Sequence, residues 1–331
     1  MGAFDAAIEW LDTQPVVVLD DTVRGRRVRI ARHGACVLGL AARFGGGWLE
    51  LADGHRDAVE LGARPGSRFA VLAPFANRIA DARYRFDGIE HDLLPDAPDG
   101  ARASRHGFAR DADFAIGAMA ADERTAQVAF TTTIGPRPGY PFTLDLAVRY
   151  TLAADGLTLQ TTLRNVGITA APAFVGWHPY FRLGDGPLAS WELNIPADCV
   201  IRTDQDFIPL PAETAYLPLD QAPELDFRQP RAIGTRQLNH TYARLRSDAD
   251  GRARTWLREP KRGLAIAVWQ EHGVMLAFTG DTLERGARRS IALEPMESLP
   301  DAFNRADCAH AIRLEPGAAR TFRCGVEIDL P

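Results

Sequence analysis

The sequence has almost no lysine: Lys261 stands alone among 38 basic residues, and the rest are arginine. Lys261 sits in a turn-like Glu259-Pro260-Lys261-Arg262-Gly263 stretch, so neither a Schiff-base lysine nor a phosphate-loop lysine is expected. Basic charge is not in excess. With 43 acidic residues the net charge is −5 and the pI about 5.9, which argues against a nucleic-acid partner. No apolar run approaches the roughly 18 residues of a membrane span, and residues 1–12 lack the basic and apolar regions of a secretory signal. Cys36, Cys199, Cys308 and Cys324 are scattered with no Cys-x-x-Cys pair. That spacing disfavours structural zinc and suits free thiols in a reducing cytoplasm. Gly-x-Gly-x-x-Gly, Gly-x-x-x-x-Gly-Lys, His-Glu-x-x-His and Gly-x-Ser-x-Gly are all absent. Gly45-Gly46-Gly47 reads as a turn between strands. Asp248-Ala249-Asp250-Gly251 lacks the remaining ligands of a calcium loop and reads as a hairpin turn.

What the chain does have is strand signal. At 331 residues and 46% hydrophobic content it can bury a large core, and one domain over residues 1–331 is expected. Tyr84 and Phe86 alternate with arginines before Asp87-Gly88 turns the chain into Ile89–Leu94, a strong hairpin pattern. Leu144, Leu146, Val148, Tyr150 and Leu152 alternate in the same way, as do Leu157, Leu159, Thr161 and Leu163 after Asp155-Gly156. Val28–Ile30, 35–40, 264–269, 274–278 and 321–330 add further strands. Helical pattern is confined to residues 4–11 and 300–306. The Pro-rich stretch 208–230 keeps enough apolar residues to be a packed connection. Without βαβ units, the expected fold is all-β, a large antiparallel β-sandwich with long loops on one face.

Four segments place polar residues in unusual settings. Asn77-Arg78 follows an apolar run. His106-Gly107-Phe108 puts a histidine before a glycine that permits close backbone approach. His178 lies between Trp177 and Pro179, and proline restricts it to extended backbone, with aromatic neighbours to shield it. Glu294 follows Ile291–Leu293 and precedes Pro295, whereas Glu297 is expected to be exposed.

Together these segments, with the run from Glu294 to Asn304, resemble the aldose 1-epimerase (mutarotase) family of the galactose mutarotase-like superfamily, over about residue 25 to the end. The resemblance implies an isomerase of carbohydrate metabolism that interconverts the α and β anomers of a free aldose. It implies a β-sandwich with a cleft over one sheet, and neither cofactor nor metal. Carried over residue by residue, it makes Glu294 the general base and His178 the general acid, with His106, Arg78 and Asn77 positioning the sugar. Many members carry an Asp that binds sugar hydroxyls where this chain has Asn239, in Leu238-Asn239-His240-Thr241-Tyr242.

The residue types suit the chemistry. Mutarotation takes a proton from the C1 hydroxyl and gives one to the ring oxygen, so a carboxylate and an imidazolium supply both transfers. A second histidine and an arginine can stabilise charge as the ring opens, and Trp177 or Tyr180 can stack on the sugar. Two alternatives stand beside this. One is a hexose-6-phosphate mutarotase or sugar-lactone isomerase, with Arg43, Arg68, Arg83 or Arg85 on a phosphate. The other is a non-catalytic carbohydrate-binding protein, against which His178 and Glu294 both argue. The partner is a small-molecule aldose; the oligomeric state is left open.

Overall fold

The computed structural model describes residues 2–97 and 104–330. Two antiparallel sheets dominate a β-sandwich. The larger has nine strands, ordered in space 115–121, 125–134, 144–153, 156–165, 319–329, 264–270, 253–259, 192–194 and 231–232. In strand Leu144–Ala153 buried and exposed residues alternate, the period-2 pattern of a sheet with one face on the core. The second sheet has eight strands. Its centre, Asn239–Leu245, Val274–Phe278 and Ile291–Met296, carries the site. Strand Ile291–Met296 is buried along its whole length. One apolar cluster joins residues of both sheets, including Val268, Val326, Leu276 and Leu293. Among the described residues no helix is long and apolar enough to cross a membrane.

A five-stranded N-terminal sheet packs beside the larger one, with the Tyr150 hydroxyl donating to the Ala35 carbonyl at 2.8 Å. Its first strand is Phe4–Leu11, where the sequence predicts a helix. The segment pairs residue for residue with Gln14–Asp21. Eight residues are too few for an independent helix, and the β-branched run Val16–Val18 offers them a sheet edge. The second helical expectation is realised as a 3₁₀ turn over Ala302–Asn304.

The Asp87-Gly88 hairpin forms as expected, with both turn residues at positive φ, and Gly45-Gly46 turns between two paired strands. Residues 248–251 do turn, but they do not close a hairpin. The strand before them, Asn239–Leu245, lies in the eight-stranded sheet and the strand after them, Ala253–Glu259, in the nine-stranded one. The Pro-rich connection is packed, with Ala215, Leu219, Ala222 and Phe227 buried.

Candidate active site

Glu294 enters the site from the middle of the eight-stranded sheet, opposite Leu276. His178 sits in the break between the short strands Gly176–Trp177 and Tyr180–Phe181. Its backbone N–H donates to the Ala70 carbonyl (3.1 Å), its carbonyl accepts from Phe69 N–H (2.8 Å), and Pro179 accepts from Leu293 N–H (3.2 Å). His178 is thereby fastened to the strand that carries Glu294. Its ring stacks on Tyr180 at 5.0 Å and 15°, and Arg68 covers the same tyrosine at 4.8 Å.

Glu297 contradicts the expectation of exposure. Its carboxylate accepts from Val175 N–H at 2.9 Å, and its own N–H donates to the Val175 carbonyl. Arg320 and His272 lie 3.5 and 3.6 Å away. Glu297 therefore anchors the segment that leads into His178. Asp301 has a comparable role: it accepts from Ala80 N–H (2.8 Å), while its own N–H donates to the Arg78 carbonyl (2.8 Å). The acidic tail of the Glu294 motif thus ties down the Asn77-Arg78 segment.

The third side chain of the cluster arrives through a strained turn. Asn77 and His106 both have positive φ, and His106 N–H donates to the Asn77 carbonyl at 2.9 Å. Gly107 is needed for a close approach to Ala73 rather than to a ligand: a Cβ there would lie 2.1 Å from the Ala73 carbonyl oxygen, and φ is +64°. Gly107→Ala is therefore expected to shift His106 and lower kcat/KM by up to about 10²-fold. Steady-state kinetics checks this, and a rate near wild type contradicts it.

Asn77, Arg78, His106, His178, Asn239 and Glu294 all line one cavity of about 810 Å³. His178 Nε2 lies 3.3 Å from Glu294 Oε1, and the His106 and His178 rings meet edge to face at 5.0 Å. Donor atoms of His106, His178 and Glu294 fall within 4.8 Å of one another, close enough to hold one metal ion. Buried atoms left without a hydrogen-bond partner include His106 Nδ1, His178 Nδ1 and Glu294 Oε2.

Burial sets the charge state. It raises the Glu294 carboxyl well above its usual range, against the pull of Arg78. It pulls His178 down to about 3 and holds His106 well below its ordinary value. Burial thus favours a carboxylic acid beside a neutral imidazole over an ion pair. The carboxylate and imidazolium expected from sequence carry the same single proton, placed on the other partner.

Trp177 does not reach the cavity. It is fully buried against Phe69 and Phe181, which leaves Tyr180, on the cavity wall, as the aromatic face of that segment. The arginines singled out for a phosphate lie elsewhere. Arg43 covers Trp48, Arg83 reaches Asp92 and Arg85 reaches the Gly88 carbonyl. Arg68 is buried in an ion pair with Asp53. Removing that guanidinium by Arg68→Ala is expected to destabilise the fold by about 3 kcal/mol, with Arg285 still on Asp53 at 2.9 Å. Urea unfolding measures this, and a change below about 1 kcal/mol contradicts a structural role.

The arginines that do line the cavity are Arg64, Arg78, Arg105 and Arg110, joined by Phe207, Gln237 and Asp281. Of these, sequence reasoning assigned only Arg78 to the site. Arg105 and Arg110 flank the His106-Gly107 motif, so their position in that segment was the signal available.

The antiparallel β-sandwich is the galactose mutarotase-like fold. Solved structures share that fold. A GalM/aldose epimerase homologue from C. elegans superposes with a TM-score of 0.81 at 18% identity, covering 93% of this chain and 96% of that one. Galactose 1-epimerase from Lactobacillus acidophilus gives 0.81 at 15% identity, over 99% of both. The sequence model of the aldose 1-epimerase family matches residues 15–327, and the chain belongs to that family. It is 30% identical over 235 residues, 71% of either chain, to the uncharacterised protein YihR of Escherichia coli K12. Human galactose mutarotase is 30% identical over 168 residues, half of this chain and 46% of that one.

Proposed function

We propose that this protein is an aldose 1-epimerase that opens and recloses a sugar ring by general acid–base catalysis. The observation that carries the reading is the 3.3 Å approach of His178 Nε2 to Glu294 Oε1 on the cavity floor. A bound sugar brings hydroxyl donors to Glu294, whose Oε2 has no partner among the described residues. Together with the charge of Arg78 they favour the carboxylate, and the shared proton moves to His178. Glu294 then takes the proton of the C1 hydroxyl while His178 gives its proton to the ring oxygen. The bond from C1 to the ring oxygen breaks and the aldehyde forms. The pair is now a neutral acid and a neutral imidazole, the form that burial favours. Ring opening thus returns the pair to its neutral form and leaves no net charge on the two side chains. Rotation about C1–C2 and the reverse transfers give the other anomer. His106 and Arg78 position the hydroxyls, with Asn77 accepting from Arg78 at 3.2 Å. Four free, buried thiols support a reducing, cytoplasmic setting.

Polarimetry of freshly dissolved α-galactose and α-glucose tests the reading. The protein is expected to speed the approach to the equilibrium rotation without changing its value. A non-catalytic sugar-binding protein would leave the rate at that of buffer.

Asn239 supplies a further test. An amide offers a neutral acceptor where a carboxylate forms the stronger bond to a hydroxyl. Asn239→Asp is expected to lower KM for galactose or glucose by about 3–10-fold, with kcat little changed, since ground and transition states share the contact. Unchanged kinetics on both sugars contradicts a substrate role for Asn239.

A further inference from the structure

The cavity carries more positive charge than the proton chemistry uses. Arg64, Arg78, Arg105 and Arg110 line it against two carboxylates, Glu294 and Asp281. Asp281 is already held by Arg288 at 2.8 Å, and Glu294 is the proposed base. This excess runs against the chain as a whole, which is net negative at −5.

The arrangement of two of these arginines is costly. Arg78 and Arg105 face each other directly across the strand pair Arg78–Ile79 and Ser104–Arg105. Like charges in that relation destabilise a sheet, and neither guanidinium has an ion-pair partner among the described residues. Arg78 makes only a neutral contact with Asn77 and lies over the Phe207 ring at 4.9 Å. Arg110 donates to the Ser67 hydroxyl at 2.7 Å and shares Asp111, 3.8 Å away, with Arg64 at 2.7 Å. Burial and mutual repulsion weaken the hold of Arg78 and Arg110 on their protons, so both gain from a nearby anion.

We propose that the substrate is an aldose bearing an anionic group, which Arg105 and its neighbouring arginines on the cavity wall hold while the anomeric carbon faces Glu294 and His178. Phosphate, sulfate and carboxylate share the required chemistry, because a guanidinium fork matches the oxygens of each. The proposal rests on the epimerase reading and refines its substrate class. It moves the anion from the arginines suggested by sequence to a different set.

The test compares kcat/KM for anomer interconversion of glucose, glucose 6-phosphate, glucose 6-sulfate and glucuronate, read by NMR magnetisation exchange at low and high salt. At least one charged sugar is expected to exceed glucose by about tenfold or more, and its advantage to shrink as salt screens the arginines. The sugar with the largest advantage identifies the anion. Arg105→Gln is expected to reduce the ratio of charged to neutral kcat/KM by about tenfold, the worth of one charge-assisted contact. Arg105 is exposed at the end of its strand, and circular dichroism checks the fold of the variant. Turnover of glucose equal to or better than that of every charged sugar overturns the proposal and leaves the epimerase reading standing. A salt-independent ratio, or one unchanged by Arg105→Gln, also overturns it. Turnover of none of the four sugars, nor of galactose, overturns both.

Discussion

Replacing Glu294 with glutamine is expected to reduce kcat for anomer interconversion by about 10²–10⁴-fold and to leave the fold intact. The stability half of this follows from burial. The carboxyl is 1% exposed and burial favours its protonated form, so a neutral amide of nearly the same shape replaces a neutral acid. No arginine pairs with Glu294 directly, and His178 is its only ion-pair partner among the described residues. The catalytic half follows from proton inventory, because an amide cannot take the C1 hydroxyl proton. Kinetics and thermal unfolding on the same preparation separate the two effects. A variant with most of the wild-type rate rules Glu294 out as the base, and a collapsed Tm shows that the rate loss is unfolding.

His178→Asn is expected to cost a similar factor of about 10²–10⁴, and the pH profile shows why it matters. A histidine titrating at its ordinary value of 6.5 would give an acid limb there. Burial has moved His178 down to about 3, so gain of a second proton by the pair is displaced far to the acid side. The working pair holds one proton, and it loses that proton only as pH rises through the raised value of the Glu294 carboxyl. The wild-type kcat/KM is therefore expected to show no acid limb at 6.5 and to fall as pH rises through the raised value of the Glu294 carboxyl. An acid limb centred near 6.5 contradicts this assignment. His310→Asn, in the short helix Ala309–Ile312 and exposed, is the control for nonspecific loss.

The Asp87-Gly88 and Asp155-Gly156 hairpins and the segments that carry His178 and Glu294 were legible in the sequence for one reason: their signals are local. Asp87-Gly88 sets its own turn, and Pro179 and Pro295 fix extended backbone next to His178 and Glu294 whatever the rest of the chain does. Errors came where tertiary partners decide. Residues 4–11 become a strand because a β-branched neighbour pairs with them. Residues 248–251 pass between sheets because the strands on either side find other partners. The Glu297 side chain is drawn inward by a reciprocal link to the Val175 backbone, 122 positions earlier. The cavity arginines were misplaced for the same cause. Arg105 and Arg110 reach the cavity because the His106 loop folds onto the Asn77 turn, and Arg64 reaches it from the end of the short helix Ala58–Ala63.

If the Glu294–His178 pair opens and closes a sugar ring, anomer exchange must depend on it. Magnetisation exchange between the α and β H1 resonances of an aldose already at anomeric equilibrium tests it most directly, because it sees interconversion with no net change in composition. Exchange cross-peaks are expected to grow in proportion to wild-type protein, without any added metal or cofactor, and to fall to the buffer level with Glu294→Gln. Cross-peaks at the buffer level with wild-type protein, for every neutral and anionic aldose tried, would contradict it.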